Sequence, residues 1–168
     1  MASVESFLAA QGGTPLAARL RELWLRELGQ QHQWALYRHF YQLSAKPDLA
    51  CIALRAELEL GELRTLTEAA RAQWLTPRAA SEACLPVFEA LYTAGALPDS
   101  LVRERVWLAL RDKRDDFAAY LLRTYTRQPK AMTNLVNALK KAPAQAASLP
   151  ALREDNRLNR ALVGYAVT

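Results

Sequence analysis

The chain has 168 residues, half of them apolar and 23% charged, with a net charge of +5. Such a composition excludes intrinsic disorder, the length suits one ordinary domain with a sizeable core, and no apolar run approaches the ~20 residues of a membrane-spanning helix. The N-terminus, Met1-Ala2-Ser3-Val4-Glu5, lacks the basic-then-apolar layout of a signal peptide, so an exported protein is expected here in its mature form.

From Leu16 onward the apolar residues recur at helical spacing. Leu16, Leu20, Leu23, Trp24 and Leu28 predict a first helix, and Trp34, Leu36, Tyr37, Phe40, Tyr41 and Leu43 a second. A third carries Ile52, Leu54, Leu58 and Leu60; a fourth carries Leu63, Leu66, Ala70 and Trp74. Then come Val87-Phe88 with Leu91-Tyr92, the set Val102, Val106, Trp107 and Leu110, and the set Phe117, Tyr120, Leu121, Leu122 and Tyr125. Weaker patterns from about Ala131 (Leu135, Val136, Leu139) and Glu154 (Leu158, Leu162, Val163) predict two more.

Breaks punctuate these segments in phase. Gly29, Gly61, Gly95 and Gln128-Pro129 recur every 32 to 34 residues, and a second series falls between them at Pro47, Thr76-Pro77, Asp112-Lys113 and Ala142-Pro143. Proline is tolerated in the first turn of a helix, where its missing N–H would go unused. No Asn-Gly or Asp-Gly hairpin turn and no alternating β-branched run is present, which tells against strands. The expected architecture is all-α: a superhelix of stacked antiparallel helix pairs, a TPR-like α-solenoid of period about 33 residues. Residues 1–168 are expected to form one superhelical segment. The terminal Ala161-Leu162-Val163-Gly164-Tyr165-Ala166-Val167 is apolar on nearly every side. A solenoid end normally shows a polar face, so this end is expected to continue or to dock.

Charge is balanced in residues 1–84, with nine basic and nine acidic groups, and all of the net +5 lies in residues 85–168. Stretches such as Arg103-Glu104-Arg105 and Arg111-Asp112-Lys113-Arg114-Asp115-Asp116 alternate in sign. Alternation of that kind reads as solvated helix surface, and no nucleic-acid partner is expected.

The two cysteines, Cys51 and Cys84, lie 33 residues apart, one repeat length, at equivalent places in successive helix pairs. Buried free thiols, a disulfide or half of a metal site are the options. A metal site lacks ligands: the only histidines are His32 and His39, and there is no Cys-x-x-Cys. A bridge is geometrically open to facing helices. It would place the protein in an oxidising compartment.

The residues from Leu23-Trp24-Leu25-Arg26-Glu27-Leu28 through Trp34, Ala50-Cys51, Gly61-Glu62, Gln73-Trp74-Leu75-Thr76-Pro77 and Ala83-Cys84-Leu85-Pro86-Val87-Phe88 resemble the N-terminal part of the bacterial soluble lytic transglycosylases. The likeness runs from about residue 19 to 126 and is looser beyond. It implies a long α-superhelical region preceding a C-terminal lysozyme-like catalytic domain. It also implies a periplasmic location, and with it a disulfide between Cys51 and Cys84. The implied chemistry is cleavage of the β-1,4 bond of peptidoglycan with formation of a 1,6-anhydro ring, one glutamate acting as acid and then base. That glutamate's Gln-Glu-Ser signature, and the Gly-Leu-Met-Gln and Ala-Tyr-Asn segments that follow it, do not occur here: Glu5-Ser6 follows Ser3-Val4, and Met132 precedes Thr133-Asn134.

The residues themselves offer no catalytic constellation either. Acids such as Glu57, Glu59 and Glu68 sit among arginines at helical spacing, whereas a glycosidase needs one carboxyl kept protonated by burial. No Gly-rich phosphate loop and no Ser-x-x-Lys, Gly-x-Ser-x-Gly or His-Glu-x-x-His motif is present. No catalytic residue, cofactor or metal is therefore expected. Two functions remain: a non-catalytic superhelical segment that shapes the enclosure of a lytic transglycosylase and contacts glycan strands, or a free-standing TPR-like adaptor for a protein partner. Trp34, Tyr37, Tyr41 and Trp107 are the rings that could stack on sugars, each with the helix–helix core as its ordinary alternative.

Overall fold

A computed structural model describes residues 2–42, 46–126, 129–153, 159–160 and 162–163. Among them the chain is helical, without strands. The elements are α1 (Ala2–Gln11), α2 (Pro15–Gln30), α3 (Trp34–Phe40), α4 (Pro47–Glu59), α5 (Glu68–Trp74), a 3₁₀ turn at Glu82–Cys84, α6 (Leu85–Thr93), α7 (Asp99–Arg111), α8 (Asp115–Thr124) and α9 (Pro129–Lys141). Two further 3₁₀ turns follow at Pro143–Ser148 and Pro150–Leu152. The helix expected from Glu154, the apolar end at 161–167, and the Leu43 and Arg127-Gln128 positions lie wholly or largely outside the described residues. No helix among the described residues is long and apolar enough to cross a membrane.

Local chemistry sets the boundaries. Pro15 opens α2 behind Thr14, whose hydroxyl oxygen accepts from the Ala17 N–H, the standard satisfaction of a free helix-end donor. Pro47 opens α4 with Asp48 in its first turn, and Asp99, Asp115 and Asp116 stand in the first turns of α7 and α8, where the helix dipole favours negative charge. Left-handed backbone closes α4 and α6 at Gly61 (φ 72°) and Gly95 (φ 71°), as their spacing predicts. The α7–α8 turn uses Lys113 (φ 57°) instead.

Three sequence expectations change. Helix α1 precedes the first one predicted. The helix expected from Leu63 begins only at Glu68, with the Thr67 hydroxyl accepting from the Ala70 N–H; Leu63 is buried but in the preceding loop. Gly29 is not a break: α2 continues to Gln30 and the left-handed residue is His32 (φ 56°). The glycine serves packing instead, since a Cβ there would stand 2.9 Å from Ile52 Cγ2.

That contact yields a sign-changing prediction. G29A should destabilise the wild-type chain by about 1 kcal/mol, the overpacking cost outweighing the gain in helix propensity. In an I52A background the Cγ2 is gone, and the same substitution should stabilise by a few tenths to about 1 kcal/mol. A double-mutant cycle in urea measures the coupling; additive effects would contradict the contact.

The chain divides into two compact units, Met1–Gln73 with Ser81–Glu89, and Trp74–Ala80 with Ala90–Thr168. In the first, Leu25, Leu28, Tyr37, Leu49, Ala53 and Ala56 form a buried cluster with Trp24, Trp34, Leu36, Phe40, Tyr41 and Ile52 packed on it. The same unit holds several ion pairs. Arg26 Nη2 meets Asp48 Oδ2 at 2.7 Å, Lys46 pairs with Glu22, and Arg38 with Glu62. In the second unit α7 packs on α8 and α8 on α9, burying Val102, Val106, Ala109, Leu110, Leu121, Leu122, Val136 and Leu139.

The Asp48 pair carries a pH prediction. Partial burial pushes the Asp48 carboxyl up, but the hydrogen bond and charge of Arg26 outweigh it and hold the group below its ordinary 3.8. A carboxyl that titrates lower folded than unfolded contributes its full stability above the unfolded value. That contribution is lost as pH falls through the folded value. The pair is 37–40% exposed, so solvent screening keeps the effect small. Acid unfolding of wild type and D48N should converge below about pH 3.8 and separate above it, wild type being the more stable by under about 1 kcal/mol. Equal stability of the two at neutral pH would contradict the pairing.

Candidate functional site

Cys51 lies one turn inside α4, and Cys84 ends the 3₁₀ turn that leads into α6. Both are fully buried, their Cα atoms 4.7 Å apart, and they are joined as a disulfide across 33 residues of sequence. The bridge ties the 81–89 segment to α4 within the first unit. A loop of this length, closed covalently, limits the unfolded chain by about 3–4 kcal/mol on the chain-entropy account. Burial removes both sulfurs from solvent reagents, which suits a structural bridge rather than a catalytic one.

The four aromatic candidates separate. Tyr37 is fully buried and its hydroxyl donates to the Leu49 carbonyl at 2.7 Å; burial holds that hydroxyl well above the ordinary tyrosine range. Such a ring cannot stack on a sugar, so Tyr37 is corrected to a core residue. The other three remain partly exposed. Tyr41 stacks on Tyr37 at 5.7 Å between ring centres. Trp34 stacks with His32 at 5.1 Å and an interplanar angle of 13°, and the Arg55 guanidinium lies 5.4 Å from its centre. In the second unit Trp107 has the Arg111 guanidinium 4.7 Å from its ring centre. Rings braced in this way are held in place before any ligand arrives, which lowers the ordering cost of a contact.

A further arginine, absent from the sequence reading, organises the second unit. Arg105 is buried with its guanidinium 4.4 Å from the centre of Trp74 and 5.1 Å from that of Phe117, and it donates to the Arg78 carbonyl at 3.2 Å. Burial pushes its pKa down to about 10, so it stays charged at neutral pH. The alternating charges of residues 103–105 gave no sign of this: the same arginine spacing fits a solvated face. Only the adjacency of Arg105 to Val102, Val106 and Ala109 on the buried face of α7 distinguishes it.

No carboxylate among the described residues is buried. The two with shifted pKa values are Glu22, lowered by its hydrogen bond to Lys46, and Asp48; both move away from the raised value a general acid needs. No group of three or more His, Cys, Asp or Glu among the described residues is placed to hold a metal ion.

No protein-family model and no curated protein sequence matches the chain. Solved structures of lytic transglycosylases share its fold. The 70 kDa soluble lytic transglycosylase in complex with bulgecin A superposes with a TM-score of 0.81 at 18% identity. The 70 kDa soluble lytic transglycosylase of Escherichia coli gives 0.79 at 19%. An inactive mutant of the lytic transglycosylase Slt of Pseudomonas aeruginosa gives 0.75 at 22%. In each case 98% of this chain is covered but only 27% of the other. The chain therefore has the all-helical fold of a stretch spanning about a quarter of the length of these soluble lytic transglycosylases.

Proposed function

We propose that this chain is a non-catalytic α-superhelical segment of a periplasmic soluble lytic transglycosylase, residues 1–168 forming one stretch of stacked helix pairs. Its parent enzyme would cleave peptidoglycan with formation of a 1,6-anhydro product, using a catalytic domain outside this sequence. The segment would shape the enclosure around that domain and contact glycan strands. The observation that carries this reading is the agreement of fold over 98% of the chain with structures of lytic transglycosylases, at TM-scores of 0.75–0.81. The buried Cys51–Cys84 bridge supports an oxidising compartment. Trp34, Tyr41 and Trp107 are the partly exposed rings that suit sugar stacking.

The test is incubation of the chain with purified peptidoglycan, followed by separation of the soluble products. The chain is expected to release no anhydro-muropeptides. Their release by this chain alone would overturn the non-catalytic assignment.

A further inference from the structure

The segment from Phe117 to Arg153 contains no aspartate or glutamate and six basic residues, unlike the sign-alternating stretches before it. Helix α9 lies within it. Val136 and Leu139 are buried on one side of α9, and α9 packs against α8 and the following 3₁₀ turn. On the opposite side Lys130, Asn134, Asn137 and Lys141 are all exposed. Steps of four, three and four residues at 100° each place these four within an arc of about 60°. They form a straight stripe about 16 Å long, the length of a short run of sugar rings.

The chemistry of the stripe is specific in kind. A lysine at each end offers a compact positive charge with three donors, and the two asparagines between offer both donors and acceptors. We propose that this face of α9 docks a carboxylate-bearing amino-sugar glycan strand. The amides would pair with hydroxyl and N-acetyl groups, and the lysines with the carboxylates of the strand's acidic substituents. The stripe has no aromatic platform, as single-stranded nucleic acid favours, and no bulky apolar residue to enter a lipid interface. Charge complementarity and the central amides thus favour a glycan over either. The inference rests on the reading that the chain meets peptidoglycan, and it adds the surface and the chemical groups read there.

The experiment is co-sedimentation of the full chain with purified peptidoglycan at low ionic strength, where screening is weak. Wild type is expected to sediment. K130E/K141E should bind about tenfold more weakly, and amidation of the peptidoglycan carboxyls should weaken wild-type binding to a similar degree. If the variant fails to fold by circular dichroism, the amidated ligand with wild-type protein decides the matter. A folded K130E/K141E that binds like wild type, or amidated peptidoglycan that binds undiminished, overturns the stripe while leaving the peptidoglycan reading intact. Wild type that does not sediment overturns both. Equal, Lys130- and Lys141-dependent binding to duplex DNA or to vesicles of anionic lipid would show a general polyanion surface and overturn the glycan assignment.

Discussion

Replacing both cysteines, C51A with C84A, is expected to lower the stability of the first unit by about 3–4 kcal/mol. The bridge closes a loop across 33 residues of sequence, and its removal lets the unfolded chain explore conformations that the closed loop forbids. Both side chains are fully buried, so alanine adds a small cavity cost to the entropic one. A loss of this size is a large fraction of the stability of a small folded unit. Urea unfolding followed through Trp24 and Trp34, the tryptophans of the first unit, measures it against oxidised wild type. A midpoint unchanged within error would show that the bridge does not constrain the unfolded chain.

W74A is expected to cost the second unit about 3–5 kcal/mol. Trp74 is fully buried, and its indole Nε1 donates to the Leu101 carbonyl at 3.0 Å. Its ring meets Tyr125 edge-on, 5.0 Å between centres at 83°, and carries the Arg105 guanidinium at 4.4 Å. Truncation opens a cavity and also strips a buried cation of the ring that faces it, at a further cost of about 0.5–2 kcal/mol. W74F keeps an aromatic face without the N–H and should recover more than half of the loss. Thermal unfolding by circular dichroism compares the three proteins; a W74A effect below about 1 kcal/mol would contradict this account.

Much of the helical order was legible because amphipathic spacing and punctuation agreed. Val102, Val106 and Leu110 predict the buried face of α7, and Gly61 and Gly95 end their helices with positive φ. Helix α1 escaped because its larger apolar residues, Val4, Phe7 and buried Leu8, cover little more than one turn, and Ala2, Ala9 and Ala10 blur the contrast between its faces. Gly29 misled because a glycine without Cβ serves two needs, a left-handed turn or a close approach, and residue spacing does not separate them. Here Ile52 claims the close approach and His32 takes the turn.

The aromatic candidates were legible only as a set. Helical spacing put Tyr37 and Tyr41 on one face, but which ring faces inward depends on Leu49, a partner 12 residues away in sequence. Arg105 was invisible for the same reason. A buried guanidinium is recognised by the rings around it, and Trp74 and Phe117 come from distant positions in the chain. The cysteines were the reverse case. Their repeat spacing and the lack of metal ligands left free thiols or a disulfide open, the family resemblance pointed to the disulfide, and the fold brings the Cα atoms to 4.7 Å.

The bridge also separates the two functional readings most directly. Protein isolated without reductant, unfolded in denaturant and treated with an alkylating agent, should show no adduct by intact mass, and two adducts after reduction. That result is the one expected of a disulfide-stapled segment from an oxidising compartment. Two adducts on the unreduced protein would contradict it and favour a cytosolic helical adaptor with free, buried thiols.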